Sequence, residues 1–239
     1  MNILVIGASS AIGSAVAAAF ASDNDLFLTG RDAGRLNAAS EMCRARGARR
    51  VLQFPGDLKD GADPILCGVN GAPIHLVIHA ASALSRLRDE EIPADEVCER
   101  IQAEIVTPLL VVRTLLNARH GEKMSVLFIS SILAALPTPR RAIYGGLKRV
   151  FEDALLSIQA QRPNLDVRIL RVSKVIDKDR NTADLERVAA VATAAMLGSR
   201  RIVSYGSSGR ILLFFYNTLP FAVRALFHLR RLLQRSASR

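Results

Sequence analysis

The sequence is short of several residue types, and each shortage narrows what it can be. Its 239 residues include no tryptophan, three tyrosines, five lysines and three cysteines. Cys43, Cys67 and Cys98 form no C-x-x-C pair and no even set. That argues against a disulfide framework or a zinc site and for a reducing compartment. No acidic residue follows Glu186, whereas nine arginines do, so the net charge of +10 belongs to the tail; residues 1–186 hold 23 basic and 22 acidic groups. A nucleic-acid-binding body, which would carry its own basic surface, loses its support. No stretch rich in proline, glycine or serine marks a linker, and no internal repeat is present. The opening MNILVIGASS lacks the basic flank and long apolar core of a secretory signal, so export is not expected.

What is present reads as one large α/β domain. Half of the residues are apolar and 23% are charged, a globular composition. Short apolar runs (NILVI, DLFLT, RVLQF, IHLVI, MSVLFI, LDVRIL, RRIVSY) alternate with longer Ala-rich segments of helical spacing. Continuous rather than alternating hydrophobicity is the mark of strands buried on both faces of a parallel sheet. The β-α-β repetition predicts a doubly wound parallel sheet with helices on both faces, occupying residues 1–208, followed by an extension at 209–239. Ligands of such sheets bind beyond the carboxyl ends of the strands, so the residues just after each strand carry the functional signal.

After the first strand comes GASSAIG. Gly7 permits a tight turn, Gly13 lets the helix approach the sheet, and Ser9, Ser10, Ala11 and Ile12 lie where helix amides could receive a pyrophosphate. After the second comes TGRD, where Arg31 stands in place of the carboxylate that would favour NAD, so NADP(H) is the expected cofactor. After the third comes GDL: Asp57, beside Leu58, is placed to accept a hydrogen bond from an adenine amino group. After the fourth comes HAAS, whose small residues Ala80, Ala81 and Ser82 would let a cofactor lie against the backbone, with His79 at the strand end counted among the cofactor-binding positions; its side chain reads either as a base or, more in keeping with a lone histidine at a strand end, as a structural residue. After the fifth comes ISSILAALPTPRRAIYGGLK, with Ser131 closing the strand and Tyr144 and Lys148 one helical turn apart on one face. A cation there favours the phenolate of a tyrosine, whose free pKa is about 10. A serine hydroxyl could polarise a carbonyl as charge grows on its oxygen.

Taken together, GASSAIG, GDL, ISS and YGGLK, in this order and at this spacing, resemble the short-chain dehydrogenase/reductase family over residues 1 to about 173. The resemblance implies a Rossmann-like fold and a reductase acting between a ketone and an alcohol with a nicotinamide cofactor. It also implies the roles: Tyr144 as general acid and base, Lys148 lowering its pKa and holding the nicotinamide ribose, and Ser131 fixing the substrate carbonyl. Four departures stand out. Ala11 replaces a third glycine, HAAS replaces Asn-Asn-Ala-Gly, and Glu104 falls where the family has a helical asparagine. RVSKVID also stands where a Pro-Gly pair is usual, affecting contacts near Val175.

The tail reads as a basic amphipathic helix over 218–235. Arg224, His228, Arg231 and Arg235 form one stripe, and Ala222, Leu226, Leu229 and Leu233 form another. The uncharged run Ile211–Val223 is shorter than the roughly 20 residues a bilayer requires. Peripheral contact with an anionic membrane, on the inner face of a cytoplasmic enzyme, stands beside docking on the domain or a second subunit as its expected use. This character is similar to reductases acting on polyprenyl-phosphate-linked keto sugars, the decaprenylphosphoryl-2-keto-erythropentose reductase type, and the short charged segment Lys174 to Ala183 is in keeping with an open site for a bulky or lipid-linked ketone. A homo-oligomer is the family expectation. Two rivals remain open: a sugar-nucleotide epimerase or dehydratase, and a non-catalytic NADP(H)-binding sensor or scaffold.

Overall fold

The computed structural model describes residues 1–82, 91–136, 141–173 and 182–206, together with Ile211, Phe214, Tyr216 and Thr218. Apart from Thr218, the expected tail helix at 218–235 lies outside the described residues, as does the substrate segment up to Asn181.

Among the described residues, seven strands form one fully parallel sheet in the order β3-β2-β1-β4-β5-β6-β7. They are β1 (Asn2–Ile6), β2 (Asp25–Gly30), β3 (Arg50–Pro55), β4 (Leu76–His79), β5 (Met124–Ser131), β6 (Leu165–Val172) and β7 (Ile202–Tyr205). The order reverses direction between β1 and β4, which makes their carboxyl ends the crevice of the doubly wound sheet. The pleat divides the core in two. Ile3 and Val5 of β1 face α1 (Ala11–Ala19), α2 (Ala33–Ala45) and α7 (Thr182–Leu197), while Leu4 and Ile6 face α3 (Asp63–Val69), α5 (Thr107–Ala118) and α6 (Ala142–Gln161).

Two strands depart from the expected double burial. β3 is the edge of the sheet, and Arg50, Leu52 and Gln53 are exposed on it; β7, at the other edge, is only half covered. An edge strand has one neighbour, so its pattern is mixed. Helices α2 and α3 were not evident in the sequence pattern, since α2 buries only Leu36, Ala39, Ser40 and Cys43 and α3 is seven residues long.

The helix after β4 is interrupted. Helix α4 (Ala94–Ile101) passes through a π-helical turn, Gln102–Val106, before continuing as α5. Pro108 explains the interruption, because it lacks the N–H that would bond the carbonyl four residues back, that of Glu104. The continuous run Ala94–Ala118 is long and apolar enough to cross a membrane, a test that core helices also meet. Val111, Val112, Leu115 and Leu116 of this run are buried against the sheet.

Candidate active site

The amino-terminal part of the site is made by backbone in close approach. Gly7 leaves β1 at φ +87°, and a Cβ on it would sit 2.4 Å from the amide nitrogen of Ala81 at the end of β4. Its N–H and that of Ala8 both donate to the Thr29 carbonyl at 2.9 Å, tying the turn to β2. Ser10 caps α1: its Oγ accepts from the Gly13 N–H at 2.9 Å. Gly13 packs so tightly that a Cβ there would lie 2.1 Å from the Gly7 carbonyl oxygen. Ala11 and Ile12 open the helix, whose first N–H groups have no intrahelical partner.

A depression of about 590 Å³, partly open to solvent, lies over this edge of the sheet. Of the residues expected to bind a cofactor, Gly7, Ser9, Ser10, Arg31, Asp57, Leu58 and Ala81 line it. Thr29, Gly30, Gly56, Ser82, Ala103 and Glu104 also line it. The Arg31 guanidinium is largely exposed and stands 4.0 Å from the Asp57 carboxylate, so a cation and an anion share the rim. Asp57 also caps the short turn Leu58–Asp60 by accepting from the Lys59 N–H at 3.2 Å.

His79 is placed differently from a cofactor contact. It pairs in register with Phe128 of β5, and its ring stacks on Phe128 with centroids 5.4 Å apart and meets Phe151 edge-on at 5.2 Å. The ring is buried, and neither nitrogen has a hydrogen-bond partner among the described residues. Burial, and secondarily the charge of Lys148, hold its pKa well below the usual imidazole value. Ala80 is buried at the strand end, its N–H donating to the Ile6 carbonyl.

The three residues singled out for chemistry lie on β5 and α6. Ser131 ends β5 and accepts from the Leu133 N–H at 3.2 Å. Tyr144 lies half-buried in the first turn of α6. One turn on, Lys148 is 2% exposed. Its Nζ donates to the Ala81 carbonyl at 3.1 Å, lies 3.2 Å from Glu104 Oε2 and sits 5.9 Å from the centre of the Tyr144 ring. Lys148 is thus joined to two residues that line the depression.

The sequence pattern did not reveal what anchors α6. Glu152, one turn beyond Lys148, is fully buried; it accepts from Ser130 Oγ at 2.6 Å and forms a two-pronged pair with Arg171 of β6. The carboxylate four residues after Lys148 was the available signal.

The family model described as short chain dehydrogenase matches residues 1–173. A curated protein from Claviceps purpurea (strain 20.1), described as a short chain dehydrogenase/reductase, is 28% identical over 159 residues, spanning 64% of this chain and 54% of that protein. The chain therefore spans about half the length of that relative. A 7beta-hydroxysteroid dehydrogenase structure is similar at a TM-score of 0.80 with 16% identity, covering 90% of this chain and 91% of that one. A short-chain dehydrogenase from Sphingobium yanoikuyae in complex with NADPH is similar at a TM-score of 0.76 with 19% identity, covering 95% of each chain. At these identities the structural likeness shows the fold.

Proposed function

The chain belongs to the short-chain dehydrogenase family, and from that premise we propose that it is an NADP(H)-dependent oxidoreductase interconverting a ketone and an alcohol. The observation that carries this reading is the buried Lys148, held by Ala81 and Glu104 at the wall of the depression with the Tyr144 ring one turn away. In ketone reduction, Tyr144 donates the proton to the carbonyl oxygen, Lys148 supports the phenolate left behind, and Ser131 holds the oxygen as its charge grows. A bound nicotinamide supplies the hydride.

The residues present suit that cofactor. The glycine turn leads into the Ser10-capped start of α1, whose first N–H groups lack intrahelical partners and suit a pyrophosphate. The exposed Arg31 offers a cation to a 2′-phosphate, and NADPH in the Sphingobium yanoikuyae relative supports the same preference. We assign Gly7, Ser9, Ser10, Ala11, Ile12, Gly13, Arg31, Asp57, Leu58, Ala80 and Ala81 to cofactor binding and leave the His79 side chain out of it. A bulky or lipid-linked ketone, a homo-oligomeric state and a cytoplasmic location with the 209–239 extension at the membrane face complete the proposal; they rest on the sequence and the family expectation.

Titration with NADPH and NADH, following the emission of the bound dihydronicotinamide, tests the cofactor, and Tyr144→Phe tests the chemistry. NADPH should bind more tightly than NADH, and Tyr144→Phe should lose at least a hundredfold in kcat with NADPH affinity preserved. Absence of binding by either nucleotide, or a fully active Tyr144→Phe, would overturn the reading.

A further inference from the structure

Glu104 brings a carboxyl group to the wall of the depression, beside Lys148. It is 4% exposed, sits in the π-helical turn and places Oε2 3.2 Å from Lys148 Nζ, which is 2% exposed. Taking two ions out of water costs several kcal/mol each, and such pairs are often no more stable than well-packed apolar residues. Burial on both sides therefore points to a use beyond folding. Neighbouring charged groups do not supply the same balance. Arg100 of α4 pairs with Glu96, Lys59 with Glu99, and Glu152 of α6 with Arg171 of β6. His79 from β4 is kept neutral by burial, Ser131 of β5 carries no charge, and Arg31 and Asp57 pair with each other on the rim.

We infer that Glu104 is a positioning residue that fixes the Lys148 ammonium against the Ala81 carbonyl and offsets its charge at the Tyr144 phenol. The inference rests on the reading of Tyr144 as the acid. In a ketone reduction the phenol must keep its proton until the hydride arrives. A bare ammonium close to the ring would draw that proton off at lower pH, and the carboxylate opposes it. The pair thus biases the site toward holding a protonated Tyr144, which favours reduction over oxidation at a given pH.

The chain has three tyrosines and no tryptophan, so the ultraviolet absorbance of tyrosinate reports ionisation without any substrate or cofactor. Subtracting the titration of Tyr144→Phe from that of the full-length protein isolates Tyr144, and Glu104→Gln against Glu104→Gln/Tyr144→Phe does the same for the variant. Glu104→Gln should move the Tyr144 midpoint down by about one pH unit. Glu104→Asp, which keeps the charge, should move it far less, whereas a purely structural role would leave the midpoint unmoved in both. Coincident midpoints in Glu104→Gln and the unaltered protein overturn the inference. Should Glu104→Gln fail to fold, Glu104→Asn carries the same comparison. Because the readout needs no turnover, it fails independently of the reductase reading, which NADPH binding and Tyr144→Phe decide.

Discussion

The turn after β1 and the helix α6 bound the same site with opposite materials. At Gly7 and Gly13 the chain works by omission: side chains are absent so that backbone can approach backbone. Around α6 it works by burying charge, with Lys148 against Glu104 and Glu152 against Arg171 and Ser130. The first side tolerates no added atom. The second tolerates no lost charge, because a partner left behind would be an unpaired ion out of water. A site that must receive a large nucleotide needs space on one side and firmly oriented polar groups on the other, and this division provides both.

Breaking the charged side should have the largest effect. Glu152→Ala strands Arg171 and removes the acceptor of Ser130, which should cost about 3–5 kcal/mol, or on the order of 10 °C in melting temperature by calorimetry. Adding one atom to the other side should cost less in stability but more in binding. Gly7→Ala forces a Cβ into a left-handed turn and against Ala81, worth roughly 1–3 kcal/mol, and should abolish the nucleotide-induced rise in melting temperature. The smallest effect sharpens the comparison through pH. The folded pKa of His79 lies well below the ordinary value of 6.5, from burial first and Lys148 second. Below that value the unfolded chain takes up a proton that the folded chain refuses, so stability is complete above about pH 6.5 and falls by about 1.4 kcal/mol per unit beneath it. Denaturant unfolding between neutral pH and about pH 5 should show the decline, and His79→Phe should flatten it. His75, lowered chiefly by burial as well, adds a contribution of the same sign.

The omissions were more legible in the sequence than the pairs. Glycines at positions 7 and 13 advertise a close approach in the letters themselves, and each of the seven apolar runs became a strand. The helices α2 and α3 were hidden because one is largely polar and the other short, so neither repeats apolar residues over enough turns. The Glu152–Arg171 pair was hidden for another reason: its members are 19 residues apart and meet only because α6 folds back over β6. Glu104 announced itself as an oddity, but its partner came from the π-helical turn, which hydrophobic periodicity does not encode. His79 looked like a site residue by position, and the register that sets it on Phe128 put its ring in the core.

Helix α6 also acts as a ruler. Tyr144, Lys148 and Glu152 are its marks, spaced four residues apart, and the far mark is pinned to β6 by Arg171. Removing one residue between them would turn everything beyond the deletion by about 100° and withdraw either the phenol or the anchor from its place. Length changes are therefore barred from this stretch of the chain, however harmless the residues removed. The turn at Gly121 lies at the opposite pole of the sheet, before β5, and carries none of these marks.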